Sequence, residues 1–351
     1  MNSYPELDLA IEDMRNQVEL YKPSTFWDNA SCQIENDISE NGIEKFRSMQ
    51  SALGFFVPTY GCPGSSFSKE HVDNLQRYFI SQYGQEQKAQ LTLENFLNGS
   101  LSSLADYRVL MAADNPDKMP YLHTFSESSF GDPSEQFEYE GRYFSRSALN
   151  YLLGLAWLKK YLDGDVPRTV MEIGGGFGTL GEVLSYSGIS DARYIDIDIP
   201  PMSFIAQHYL SHVYGIDNVK TYAMTRNLTE INITDLPSAS VFSSWQIEQL
   251  KGEIDLFLNF ISFQEMEPNI VKNYFSHVVR LNTRWILLRN MREGKQLRKV
   301  SVAVGVKTPI LSEDYLKMLP EYELVARNIF PFGHQTIDGY HSELLLLRRK
   351  Q

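Results

Sequence analysis

The stretch Val170-Met171-Glu172-Ile173-Gly174-Gly175-Gly176-Phe177-Gly178-Thr179-Leu180-Gly181 leaves few folds open to this chain. A short apolar run ends in an acid, a cluster of glycines follows, and an apolar pattern suited to a helix comes next. Glycine tolerates positive φ and lacks the Cβ that would keep a neighbour at a distance. A strand, a tight turn and a helix in that order bring a ligand against the backbone at the turn.

The flanking sequence extends the pattern. Strands are expected over 169–173, 192–197, 220–224, 254–260 and 284–288, and 240–243 reads as a further strand or an extension. Helices are expected over 179–187, from the Pro200-Pro201 pair onward with Met202, Ile205, Tyr209 and Val213 as the buried stripe, and over 269–280. Proline is tolerated in a first helical turn. The run at 254–260 is almost continuously apolar, as in a strand covered on both faces. Alternating strands and helices imply a parallel sheet between helical layers. The last two strand-like runs, 322–330 and 342–349, are joined through Pro331, Gly333 and Gly339 without a helix, which implies an antiparallel finish. The fold class is therefore α/β, a Rossmann-like parallel sheet with an antiparallel closing strand.

A chain of 351 residues exceeds one ordinary domain. Residues 1–140 read as a mainly helical cap domain with an aromatic loop at its end, and residues 141–351 as the ligand-binding domain. Leu7, Ile11, Met14 and Val18 share one helix face, and a second helix is expected after Ser39 with Ile43, Phe46 and Met49. Two prolines and two glycines make 55–64 a loop, and helices are expected over 69–83 and 91–111. Residues 114–143 form a long polar and aromatic loop, a type often functional. Ser145 is placed to cap the helix that follows.

The net charge of −12 and pI near 5.1 argue against a nucleic-acid or anionic-membrane partner. No run approaches the ~18 apolar residues of a membrane span. The acidic start lacks the basic and apolar regions of a signal peptide, so a cytoplasmic location is expected. Cys32 and Cys62 then read as two free thiols. His208 and His212 lie one turn apart, but no third ligand is evident, so no metal is expected.

Two ligand fingerprints overlap at the glycines. Glu172, Gly174, Gly176 and Gly178 fit the acid-x-Gly-x-Gly-x-Gly pattern of S-adenosylmethionine (SAM) enzymes, with Gly175 and Phe177 between them. Gly176, Gly178 and Gly181 fit the dinucleotide pattern G-x-G-x-x-G. The acid decides for SAM, since a carboxylate repels a pyrophosphate and attracts a sulfonium and an ammonium. Asp196 and Asp198 share one face of the next strand, and a carboxylate there can accept both ribose hydroxyls. Asp198 stands nearer the helix-opening prolines. Trp245 and Gln246, in the loop after 240–243, are candidates to cover and bind the adenine. Glu265 follows the strand at 254–260, where doubly wound sheets open their ligand crevice. His341, Glu265 and His123 are the candidates for the base that takes a proton from a hydroxyl acceptor. Glu127, Tyr143, Phe263 and Asp338 are the candidate substrate contacts.

Met171-Glu-Ile-Gly-Gly-Gly-Phe-Gly-Thr-Leu, Tyr194-Ile-Asp-Ile-Asp-Ile-Pro-Pro, Trp245-Gln-Ile-Glu and Ser262-Phe-Gln-Glu-Met together resemble the bacterial sugar O-methyltransferase family, from about Glu127 to the end of the chain. The resemblance implies SAM as methyl donor and a sugar or glycoconjugate hydroxyl as acceptor, within polysaccharide or glycoconjugate biosynthesis. An NAD(P)-dependent oxidoreductase using Gly176–Gly181, or a non-catalytic SAM-fold partner protein, are the alternatives. Self-association of the chain is left open.

Overall fold

The computed structural model describes residues 2–49, 51, 69–84, 87–298, 305–336 and 338–351. The loop expected at 55–64, with Cys62, lies outside the described residues, and Cys32 is free and exposed.

The first third is helical: α1 (Pro5–Arg15), α2 (Thr25–Asn41), α3 (Lys69–Tyr83), α4 (Gln87–Leu97) and α5 (Ser100–Ala113). Leu7, Ile11 and Met14 are buried on α1, as their spacing requires, but Val18 lies beyond the helix and is exposed. The helix expected after Ser39 is absent. Gly42, at φ +81°, ends α2 there, and the next residues form turns. Ile43, Phe46 and Met49 are nevertheless buried, so the period reported burial without a helix. Asn98 and Gly99 divide the helix expected over 91–111 into α4 and α5.

A two-stranded hairpin, β1 (Phe137–Tyr139) and β2 (Arg142–Phe144), closes the aromatic segment. Ser145 then caps α6 (Arg146–Leu158), its hydroxyl accepting the Ala148 N–H at 3.1 Å. The alternating region follows: β3 (Thr169–Ile173), α7 (Thr179–Ser185), β4 (Arg193–Asp198), α8 (Met202–Tyr214), β5 (Val219–Lys220), α9 (Tyr222–Thr225), β6 (Ile231–Asn232), β7 (Ala239–Ser243), β8 (Leu250–Lys251), β9 (Leu256–Phe260), α10 (Pro268–Arg280) and β10 (Trp285–Met291). The chain ends in α11 (Ser312–Met318), β11 (Tyr322–Asn328), β12 (His334–Gln335) and β13 (His341–Arg349). Most of the strand expected over 220–224 is the short helix α9, and the interior strand at this point of the sheet is β7.

The main sheet runs β11-β13-β10-β9-β3-β4-β7-β5, with β12 on β13. Strands β10, β9, β3, β4, β7 and β5 are mutually parallel, and β13 runs antiparallel between β10 and β11. This is the Rossmann-like α/β sheet with an antiparallel closing strand that the sequence predicts. Alternate residues feed opposite layers. Val170, Leu258 and Leu287 join the apolar cluster with α6, α7 and α8, whereas Met171, Phe257 and Ile286 join the one with α10 and α11. Ile34, Ile38 and Phe46 from the first third belong to the former cluster. Among the described residues no helix is long and apolar enough to cross a membrane.

Candidate functional site

The chain leaves β3 for β4 on one side and returns through β9 on the other, so strand order reverses at β3. Ligand crevices in such sheets open there, beyond the carboxyl ends of the strands. A cavity of about 390 Å³ sits at that place, within the size range of small-molecule sites. Gly174, Gly175, Gly176 and Phe177 line it, with Asp198 from the end of β4 and Glu265 from the turn after β9.

Each glycine of the turn answers a different contact. A Cβ on Gly174 would meet the Ser262 hydroxyl at 2.2 Å. One on Gly175 would press on Asp196, Tyr194 and Glu172, at 2.6–2.9 Å. At Gly176, φ is +66° and a Cβ would meet nothing within 4 Å. Gly176 thus leaves its backbone bare toward the cavity. Gly178 caps the start of α7 and packs on Leu210, outside the cavity lining.

Beneath the turn lies a buried carboxylate cluster. Glu172 accepts the hydroxyls of Tyr151 at 2.7 Å and Tyr194 at 2.8 Å. Burial raises Glu172 to about 7, with the Asp198 charge adding to the rise and the two tyrosine bonds opposing it. Burial and then the charges of Asp198 and Glu172 push Asp196 well up. Asp198 accepts the N–H of Gly176 at 3.1 Å and that of Ile199 at 2.7 Å, and burial raises it to about 7. Of the two aspartates only Asp198 reaches the cavity. Asp196 and Glu172 support the turn from behind.

The opposite wall is built by the end of β9 and by the first third of the chain. Asn259 and Ser262 both donate to the Ile173 carbonyl, at 2.9 and 3.0 Å, and so tie the ends of β3 and β9 together. Ile261 between them has φ +74°, an outlier for a β-branched residue of the kind found at ligand sites. The Glu265 carboxylate accepts the indole N–H of Trp27 at 3.1 Å and pairs with Lys295 at 2.7 Å. Trp27, in the first turn of α2, therefore holds that helix across the cavity.

Several candidates lie elsewhere, each for a structural reason. Gln246 is buried and caps its own turn with Ser243, and Trp245 faces a separate polar cleft with Tyr222 and Arg226. Glu127 is buried in an ion pair with Arg47 at 2.7 Å. Phe263 is core, between Phe257, Tyr274 and Phe275. Tyr143 is exposed on β2, and Asp338 is exposed and accepts the Thr336 hydroxyl at 2.6 Å. The aromatic segment packs at the far end of α7, where the Tyr121 N–H meets the Ser187 carbonyl, so His123 is remote from the glycine turn. The His341 ring sits outside the cavity, held by Glu293 at 2.7 Å and Arg292 at 2.9 Å. Burial would raise the Glu293 carboxyl, but it accepts from the His341 backbone N–H, the His341 ring and the Arg292 guanidinium, and these bonds hold it at about 2. Sequence reasoning missed Trp27, Tyr151, Lys295 and the cavity-lining His334, since spacing does not show which distant segments converge.

The fold and cavity define a doubly wound α/β protein with a ligand-sized crevice at its switch point. No protein-family model matches the chain, and no curated protein matches it. Among solved structures it is similar to magnesium protoporphyrin IX methyltransferase from Synechocystis PCC 6803 with bound SAH, at 16% identity and TM-score 0.39, over 58% of this chain and 84% of that one. It is also similar to an S-adenosylmethionine-dependent methyltransferase from Clostridium acetobutylicum, at 10% identity and TM-score 0.34, over 52% of this chain and 84% of that one.

Proposed function

We propose that the protein is a SAM-dependent O-methyltransferase acting on a sugar hydroxyl, in cytoplasmic polysaccharide or glycoconjugate biosynthesis. The observation that carries the SAM reading is the pairing of Gly176 and Asp198 at the switch point. Open space lies over a Cβ-free backbone at one, and a carboxylate enters that space from the other. Asp198 has lone pairs left for the ribose hydroxyls, and its carboxylate, the one of the cluster that reaches the cavity, favours a cationic ligand over a pyrophosphate. The sugar acceptor comes from the motif resemblance. Residues 1–140 serve in this reading as a cap that closes one wall of the site through Trp27.

Methyl transfer needs the acceptor oxygen, the methyl carbon and the sulfur in line, so the protein's part is orientation and proton removal. The test is a thermal-shift comparison of S-adenosylhomocysteine (SAH) with NAD, because a ligand that binds only the folded state raises its melting temperature. Stabilisation by SAH alone is expected. Stabilisation by NAD alone would overturn the reading in favour of an oxidoreductase. Transfer to a panel of free and nucleotide-activated sugars, read as a mass gain of one methylene, then tests the acceptor class.

A further inference from the structure

We infer that His334 is the general base that takes the proton from the acceptor hydroxyl. The inference rests on the methyltransferase reading above and names the residue that completes it. His334 lies on β12, a two-residue strand paired to the start of β13 with His334 opposite Ser342. Both residues line the cavity. The strand can lie this close because Gly333 precedes it. A Cβ at Gly333 would stand 2.1 Å from the Ser342 carbonyl oxygen and 2.7 Å from that of Ile329. The glycine therefore fixes where the next side chain enters.

The chemical state of the ring suits the role. Among the described residues the imidazole has no side-chain hydrogen-bond partner, unlike His341, whose ring nitrogen is taken by Glu293 and Arg292. Lys295, Glu265 and Asp198 line the same cavity, and the charges that act on His334 are those of Arg289 from β10 and Arg146 from α6. Burial first, and then these two cations, lower the imidazole to about 4. The carboxylates of Asp106 on α5 and Glu135 before β1 in turn face these arginines. The ring is thus neutral at physiological pH with a lone pair to offer. A base this weak suffices, because an alcohol oxygen that has begun to bond carbon is a strong acid.

The step balances as follows. The hydroxyl oxygen forms its bond to the methyl carbon, and the carbon–sulfur bond breaks with its electron pair passing to sulfur. The hydroxyl proton passes to an imidazole nitrogen of His334. The product is a methyl ether with neutral SAH, and the imidazolium, disfavoured beside two arginines, returns its proton to water.

The experiment uses the full chain and two variants, His334→Gln and His334→Ala, with SAH as the binding probe and SAM plus the sugar panel for turnover. SAH affinity by calorimetry should stay within about threefold of the wild type, while kcat falls by ~100-fold or more. Added imidazole should restore part of the rate to His334→Ala. The wild-type kcat should be level from pH 6 to pH 9 and fall only below about 5, following the depressed imidazole. Wild-type turnover in both variants overturns the inference. Parallel loss of SAH affinity and rate also overturns it, since His334 would then hold the donor. A wild-type protein that binds SAH but methylates no sugar removes the acceptor reading and this inference together. One that does not bind SAH removes the donor reading first.

Discussion

At the residue scale, the glycine turn separates two roles that sequence alone merges. Gly174 and Gly175 are small because neighbouring side chains fill the space beside them, whereas at Gly176 no neighbour fills it and the space opens to the cavity proposed for the donor. Gly176→Val should abolish measurable SAH binding by calorimetry, since a β-branched residue at φ +66° is strained and its side chain enters the cavity. Its far-ultraviolet dichroism should stay near that of the wild type. The carboxylate at Asp198 makes a second prediction. Its folded value of about 7 lies above the ordinary 3.8, so the empty folded protein holds a proton that the unfolded chain gives up. The group's stabilising contribution is full below about 4 and is lost as pH rises through 7. A cationic donor reverses this by favouring the ionised carboxylate. SAM affinity should therefore rise with pH, by at most about tenfold per unit below 7, and level off above it. Calorimetry in two buffers of different ionisation enthalpy should show a proton released on binding at pH 6. Tyr151→Phe offers a third check at this scale. It removes one donor from the buried Glu172 carboxylate and should lower stability by ~1–3 kcal/mol in denaturant unfolding.

At the scale of elements, the sheet was legible in the sequence because its rules are local. The apolar run at β9, the prolines before α8 and the helix-free link to β13 each gave their element from a few residues. The error at 220–224 came from a strand too short to carry a period, and the error after Ser39 from buried residues whose spacing matched a helix by chance. Among the candidate residues, Gly174, Gly175, Gly176, Phe177, Asp198 and Glu265 could be placed at the cavity from sequence because each lies at or just after the carboxyl end of a strand. Trp27 and His334 could not, because the first depends on the start of α2 meeting the turn after β9 and the second on β12 pairing beside β13. Histidines seven positions apart on one hairpin look equivalent in sequence, and only the pairing shows which faces the crevice. The bond from Trp27 to Glu265 gives the element-scale prediction. Trp27→Ala should weaken SAH binding by about tenfold, the loss of roughly one hydrogen bond to a charged group. Unchanged affinity would mean that α2 closes over the acceptor rather than the donor.

At the scale of the whole molecule, the open matter is how the first third of the chain and the sheet share stability and function. Ile34, Ile38 and Phe46 lie in one apolar cluster with Val170 and Leu258, so neither part has that core to itself. One polar joint is Arg47. It is buried, pairs with Glu127 at 2.7 Å, donates to the Ser128 carbonyl at 2.9 Å and lies 5.0 Å from the centre of the Phe177 ring. Phe177 directly follows Gly176, so one guanidinium links the helical third, the aromatic segment and the glycine turn. Replacing only one member of a buried ion pair leaves the other charge uncompensated, at a cost of ~3–5 kcal/mol. Glu127→Ala should therefore lower the melting temperature by several degrees and weaken SAH binding, although Glu127 lies outside the cavity. Calorimetric unfolding of both proteins should show one transition, because a shared core makes the parts unfold together. The double replacement Arg47→Met with Glu127→Leu removes both charges and should recover most of the lost stability. It should not recover the affinity in full, since the cation over Phe177 is gone. Two resolved transitions in the wild type would mean instead that the chain divides near residue 140 into parts that fold separately, and that Arg47 only docks them.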